Sequence, residues 1–284
     1  MTTRMRTWIL LAGLSALFVA VGGLVGGTSG IVLFLVIAVG FNFAMFWFSD
    51  RLALKMSKAR PLEPGEARDL AADVEDLAQR AQIPLPRLYL IPSQQPNAFA
   101  TGRSPKHSAV AVTEGLLALM PRDQVRGVIA HELAHIKNRD VLVTTIAAMI
   151  GAAISAVAHF LQFQWLFGGG DDDESPLGFV GTLAAVLIAP IAAMLLQFAV
   201  SRQREYLADA TAAELLGTGR PLADALGSLQ RGVEVLPMEV NPASASLYIV
   251  NPLAGGGMSA LFSTHPPIPA RIERLVAFDA KRGL

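Results

Sequence analysis

His131, Glu132 and His135 stand in the order HExxH, in the run His131-Glu132-Leu133-Ala134-His135. Positions i and i+4 of a helix lie one above the other on one face. Both imidazoles therefore reach a single ion, with the glutamate beside it. Zinc held that way acidifies a water and polarises a carbonyl, and the carboxylate takes the water's proton. That chemistry suits hydrolysis of a peptide bond. A catalytic zinc takes three protein ligands and leaves a further position for water. The chain has no cysteine, so thiolate ligands, cysteine nucleophiles and disulfide frameworks are excluded. The third ligand must come from His107, His159, His265 or an acidic side chain.

What must position these residues is written in the apolar stretches. Of the 284 residues only 16% are charged and 52% are hydrophobic, with a mean hydropathy of +0.46. Soluble domains run near 25% charged, so the composition points to lipid. Lys and Arg total 23 against 23 Asp and Glu, which leaves no basic footprint for nucleic acid. Residues 7–49, 141–170 and 175–201 contain no Asp, Glu, Lys or Arg. About 20 apolar residues span a bilayer core roughly 30 Å thick. The first stretch is long enough for two crossings, with Gly26, Gly27, Thr28, Ser29 and Gly30 supplying the turn. The other two cross once each, with a kink at Pro190 in the fourth. Arg4 and Arg6 before an apolar run resemble a signal peptide, but the run continues into a second span with no clear processing site.

Four transmembrane helices divide the chain. Residues 7–48 hold the first two and 50–140 the first polar block. Residues 141–200 hold the other two, with an acidic loop at 168–175, and 201–284 form the second polar block. Basic residues flank every span on one side: Arg4 and Arg6, then Arg51, Lys55, Lys58 and Arg60, then Lys137 and Arg139, then Arg202 and Arg204. The loop between spans three and four carries only Asp171, Asp172, Asp173 and Glu174. Positive-inside bias puts both termini and both polar blocks in the cytoplasm, where the blocks fold together. The acidic loop reads as a solvated external turn.

Residues 201–209 begin where the fourth span ends, so they return to the membrane face that the third span leaves, close to His135. Glu205 is the choice for third ligand on that ground. Asp209, one helical turn on, accepts a hydrogen bond from a ligand histidine and fixes its tautomer. Arg202 orients Glu205 by an ion pair. Taken alone, this segment reads as an ordinary charged helix start; its return beside His135 favours the ligand reading.

Within the polar blocks, residues 64–81 read as an amphipathic helix, with Leu70, Val74, Leu77 and Ala81 at helical spacing. Residues 87–91 form a short strand between Pro86 and Pro92. Residues 97–101 and 108–113 pair as a hairpin across Gly102 to Lys106, and 121–138 is a helix with Pro121 at its start. An exposed strand edge at 97–102 would accept an extended polypeptide by β-augmentation, with Asn97 and Ala98 as contacts. Gly255, Gly256 and Gly257 mark a loop; no Walker-type Lys-Ser/Thr follows them, so a nucleotide site is excluded.

Three separated motifs carry a more specific likeness. HELAHIKNRD at 131–140, SRQREYLAD at 201–209 and FSTHPPIPARIERL at 262–275 resemble the HtpX-type membrane zinc metalloproteases, and the resemblance covers nearly the whole chain. The four spans and the segment Asn97-Ala98-Phe99-Ala100-Thr101-Gly102 also fit. The resemblance implies a fold that is mostly α with a small β-sheet, in a gluzincin-like cytoplasmic domain. It implies one Zn2+ per subunit on His131, His135 and Glu205, with Glu132 as general base. It further implies endoproteolysis of membrane or misfolded proteins at the bacterial inner membrane, in envelope quality control. The related enzymes that trim prenylated CAAX proteins are larger and have more spans. A tetrahedral oxyanion needs a second electrophile besides the metal. His265, in the third motif, is the first candidate and Arg271 the second. A transporter carrying zinc as cargo would need ionisable residues within its spans, and His159 is the only one there. No motif specifies an oligomeric state.

Overall fold

The structure, a computed structural model, describes residues 3–150, 202–236, 238, 240, 244–252 and 266–283. His159, the acidic loop, the fourth span, the 255–257 glycines and His265 lie outside the described residues.

Helix α1 (Thr3–Met56) takes up the whole first apolar stretch. It is not one straight rod. Asn42 donates to the Leu11 carbonyl at 3.2 Å and to the Ser15 hydroxyl at 2.7 Å. Positions 31 residues apart on a straight helix would be separated by about 46 Å at ~1.5 Å per residue. The chain reverses at Gly27, whose φ of +54° suits glycine,. Gly22 and Gly30 let the two arms meet backbone to backbone, since a Cβ on either would strike the other's carbonyl. The second arm, Gly27–Met56, is long and apolar enough to cross a membrane, and among the described residues it is the one helix that is. The second apolar stretch enters the structure as α5 (Val141–Ile150).

The folded part is built on a four-stranded sheet of β1 (Arg60–Pro61), β2 (Arg87–Ile91), β3 (Ala98–Ser104) and β4 (His107–Thr113), in spatial order β1-β2-β4-β3. β2 and β4 run parallel, while β1 with β2 and β3 with β4 are antiparallel. β3 is therefore an edge strand. The hairpin is tighter than the sequence suggested: β3 and β4 run on to Ser104 and His107 and leave only Pro105 and Lys106 between them. Helix α2 (Arg68–Ala81) starts later than residue 64, because Gly65 and Ala67 adopt positive φ and cannot propagate a helix,. Its buried stripe is the expected one, Leu70, Val74, Leu77 and Ala81. A short α3 (Glu114–Leu119) follows β4, capped by the Thr113 hydroxyl accepting from Leu116 N–H,.

Helix α4 (Arg122–Lys137) is the central element, with Pro121 at its N-cap. It packs against α2, β3, α6 (Arg202–Leu216) and α7 (Arg220–Val235). Burial is nearly all-round from Val128 to Ala134, as expected of a helix clothed on every side. Gly127 permits the closest approach: a Cβ there would meet the Pro221–Leu222 backbone at 2.7 Å. Buried Asp73 of α2 receives Arg122 at 3.1 Å and Arg126 at 2.6 Å, which fixes α2 along α4. A 3-10 turn (Ser244–Leu247) and α8 (Ile268–Ala280) complete the described chain. The metal-type residues on α4 thus sit inside the protein core, where side chains are held still.

Candidate active site

His131 and His135 project from the same face of α4, and their Nε2 atoms converge to 3.2 Å. Glu205, near the start of α6, places Oε1 3.4 Å from His135 Nε2 and Oε2 3.7 Å from His131 Nε2. Two ligand atoms about 2.05 Å from a tetrahedral ion lie about 3.3 Å apart, so the three separations fit one zinc-sized ion. Among the described residues, His131, His135 and Glu205 form the group of three that could hold a metal. All three are shielded, with His135 the most exposed at 14% of its side chain.

Each histidine has its own carboxylate. Asp209 Oδ1 is 3.0 Å from His131 Nδ1, which holds the proton on that nitrogen and leaves the Nε2 lone pair facing Glu205. Asp140 Oδ2 is 3.5 Å from His135 Nδ1 and acts on the second ring in the same way. The sequence pointed to Asp209 beside a ligand histidine, and the structure brings the two together; it did not point to Asp140. Asp140 also sits at the N-cap of α5, its carbonyl accepting from Thr144 N–H at 3.2 Å, so the ring is oriented from the root of an apolar helix. Asp140→Asn keeps a good capping residue but weakens the grip on His135. Zinc affinity, read by chelator competition, is expected to fall about 10- to 100-fold.

The same surroundings set the protonation states. Burial pushes the His131 imidazole down to about 4, despite the opposing pull of Asp209. Burial also acts against a charge on His135, but the hydrogen bonds to Asp140 and Glu205 outweigh it and raise that ring to about 10. Burial lifts the Glu132 carboxyl to about 7, with neighbouring Glu205 adding to the rise. Glu132 is also tied to the edge strand, accepting a hydrogen bond from Ala100 N–H. It lies next to His131 on α4, and both line one cavity with His135 and Glu205.

Arg271 departs from the sequence expectation. It is fully buried, so it offers no surface for substrate or for an oxyanion. Its guanidinium forks onto Asp209 at 2.7 and 2.9 Å and reaches within 3.7 Å of Glu205. The ion pair depresses the Asp209 carboxyl, outweighing the burial that would raise it. Arg202, expected to steady Glu205, is on the exposed side of α6; the guanidinium beside Glu205 is Arg271 instead. Arg271→Ala strands Asp209 as a buried charge, which costs about 3–5 kcal/mol. A urea titration of the zinc-free protein would reveal it as a lower midpoint at unchanged slope.

Asn97 and Ala98 are also buried, with their polar groups already engaged. Asn97 Nδ2 donates to the Val250 carbonyl at 2.9 Å, and its Oδ1 accepts from Ala98 N–H at 3.1 Å. The Ala98 carbonyl accepts from Ile249 N–H at 3.1 Å. Both therefore form a joint between β3 and residues 249–250 rather than a free surface. His107 is exposed beside the hairpin turn and bonded to Ser104 at 3.0 Å, apart from the metal-type group.

The chain matches the family described as Peptidase family M48 over residues 64–279. It is 51% identical over 275 residues to a Protease HtpX homolog of Pelotomaculum thermopropionicum, covering 96% of this chain and 98% of that one. A Protease HtpX homolog of Desulfatibacillum aliphaticivorans is 47% identical over 285 residues, covering 100% of this chain and 92% of that one. In fold the chain is similar to the crystal structure of S. mikatae Ste24p, with a TM-score of 0.52 at 22% identity. That likeness spans 96% of this chain and 65% of the Ste24p chain.

Proposed function

This chain belongs to peptidase family M48 as an HtpX-type metalloprotease, and from that premise we propose a zinc endopeptidase of a bacterial inner membrane that cuts membrane or misfolded proteins at the cytoplasmic face. One observation carries the reading. The Nε2 atoms of His131 and His135 lie 3.2 Å apart, each with one Glu205 oxygen at 3.4 or 3.7 Å, and a buried glutamate stands beside them.

Zinc bound to those residues would supply Lewis-acid activation of water and of the scissile carbonyl. The rest of the mechanism belongs to the chain. Asp209 and Asp140 engage the Nδ1 atoms of the two histidines, so Nε2 is the atom each ring offers to the metal,. Glu132, steadied by Ala100 N–H, takes the proton of the attacking water. It later delivers that proton to the departing amine. A carboxyl lifted towards neutrality suits both transfers, because it neither clings to the proton nor refuses it. Arg271 sets the charge of Asp209 and so acts through it on His131. His265 is our candidate for the oxyanion donor.

The elements around the site support this location. Val141, the first residue of α5, comes six positions after His135, and α1 ends against the same domain. Basic flanks on one side of every apolar stretch favour a cytoplasmic site at the lipid surface. Substrates there are polypeptides in or emerging from the bilayer, which supports a role in envelope quality control.

Metal removal tests the reading. Purified protein in detergent should cut casein, stop on chelation, and recover on adding zinc. The same titration has a predicted pH dependence. His135 sits at about 10 without metal, so below that value it carries a proton that must leave before zinc binds. Affinity therefore rises with pH, about tenfold per unit between pH 6 and 8 for one released proton. A flat profile would remove His135 from the ligand set.

A further inference from the structure

β3 is an edge strand, yet its outer edge beside the site is not free. Residues 244–252 run along it as a strap. Ile249 N–H donates to the Ala98 carbonyl at 3.1 Å, on the side of β3 away from β4. Two residues further along that edge, Ala100 N–H is taken by Glu132. The strap's own carbonyls are held by buried side chains. Asn97 Nδ2 donates to Val250 at 2.9 Å, Arg271 to Ile249 at 3.2 Å, and Gln95 Nε2 to Pro252 at 3.2 Å. Tyr248 lays its ring edge-on against Phe99, with centroids 5.1 Å apart, and its hydroxyl donates to Ser57 at 3.2 Å. Ser246, Leu247 and Ile249 line the same cavity as the metal-type residues.

An uncovered strand edge invites any extended chain. Main-chain pairing with such an edge is how a sequence-tolerant peptidase would hold its substrate. Here the Ala98 carbonyl on that edge is already taken by the protein's own segment. We propose that residues 244–252 act as a resident stand-in for substrate, which a polypeptide must displace from the Ala98 edge before it is cut. The seated strap then restrains cleavage, the protein's own chain included. This rests on reading the site as a peptidase cleft.

The anchors fit that role. Each is a single hydrogen bond, so removing one shifts the closed-to-open balance only about fivefold. Tyr248 and Ser57 are of particular interest, because Ser57 directly follows α1 and so ties the strap to the apolar hairpin. Tyr248→Phe keeps the ring on Phe99 and deletes only this tie.

The absence of cysteine gives a direct test on the full-length protein. In a Glu132→Gln background, Ile249→Cys introduces a single thiol at a site 2% exposed, and maleimide labelling reports when the strap lifts. Saturating β-casein is expected to speed labelling at least about fivefold. Unchanged or slowed labelling with casein bound would overturn the proposal, since the strap would then be a fixed wall. Casein binding is read separately by fluorescence anisotropy. A protein that binds no casein overturns the peptidase reading itself and the strap with it. Should Ile249→Cys fail to fold, Tyr248→Phe in the active protein serves alone. KM for casein is expected to fall about fivefold at equal zinc content, and an unchanged or higher KM would overturn the proposal.

Discussion

Glu132→Gln leaves a folded, metal-competent protein whose turnover on casein falls about 10³-fold. The amide has the shape of the carboxyl, so α4 keeps its packing, and its oxygen still accepts from Ala100 N–H. What it lacks is a basic site for the proton of the attacking water. Stability is not expected to drop, because burial already disfavours the charged form of this carboxylate,. The metal ligands are untouched, so zinc content stays near one per chain. The loss should fall on kcat, since the group acts on the reacting proton rather than on substrate binding. Steady-state kinetics at matched zinc content decide the matter. Turnover within about tenfold of the parent would strip Glu132 of its role as the base.

The parts of the site that could be read in the sequence are those set by local spacing. His131, Glu132 and His135 needed only a helical register, and α4 spans Arg122–Lys137 as the pattern indicated. Glu205 and Asp209 are likewise four residues apart on one helix, and their return beside His135 followed from where the apolar stretches end. Asp140 is just past the same motif, but its reach to His135 depends on how the chain leaves α4. Arg139 adopts a φ of +61° there, a turn that no periodicity announces. Arg202 and Arg271 were misjudged for one reason. A guanidinium reads as solvent-exposed in sequence, and only the packing of α8 against α6 and α7 buries one and leaves the other outside. Asn97 and Ala98 were legible as an edge strand, and β3 is one. That a segment some 150 residues later covers this edge is a tertiary fact, and it carries no local signal.

Glu205→Ala tests the link between the two halves of the chain. His131 and His135 come from the element before the second apolar region, whereas Glu205 comes from the element after it, so a bound metal would take ligands from both. Zinc sites of four ligands bind with about 10–16 kcal/mol in all, or roughly 3 kcal/mol per ligand. Losing one should therefore weaken zinc about 100-fold or more, and casein cleavage should vanish at zinc levels that saturate the parent. Arg271 sharpens the expectation. It lies 3.7 Å from Glu205 and is forked onto Asp209. With the carboxylate gone, that cation stands close to the empty ligand position and repels an incoming one. Stability of the zinc-free protein should change far less than zinc affinity, because Arg271 keeps Asp209 as its partner. Metal analysis after equilibrium dialysis, paired with a thermal melt with and without zinc, separates the two effects. The parent should gain stability on adding zinc and the variant should not. Equal zinc content in both proteins would remove Glu205 from the site and leave α6 without its role in catalysis.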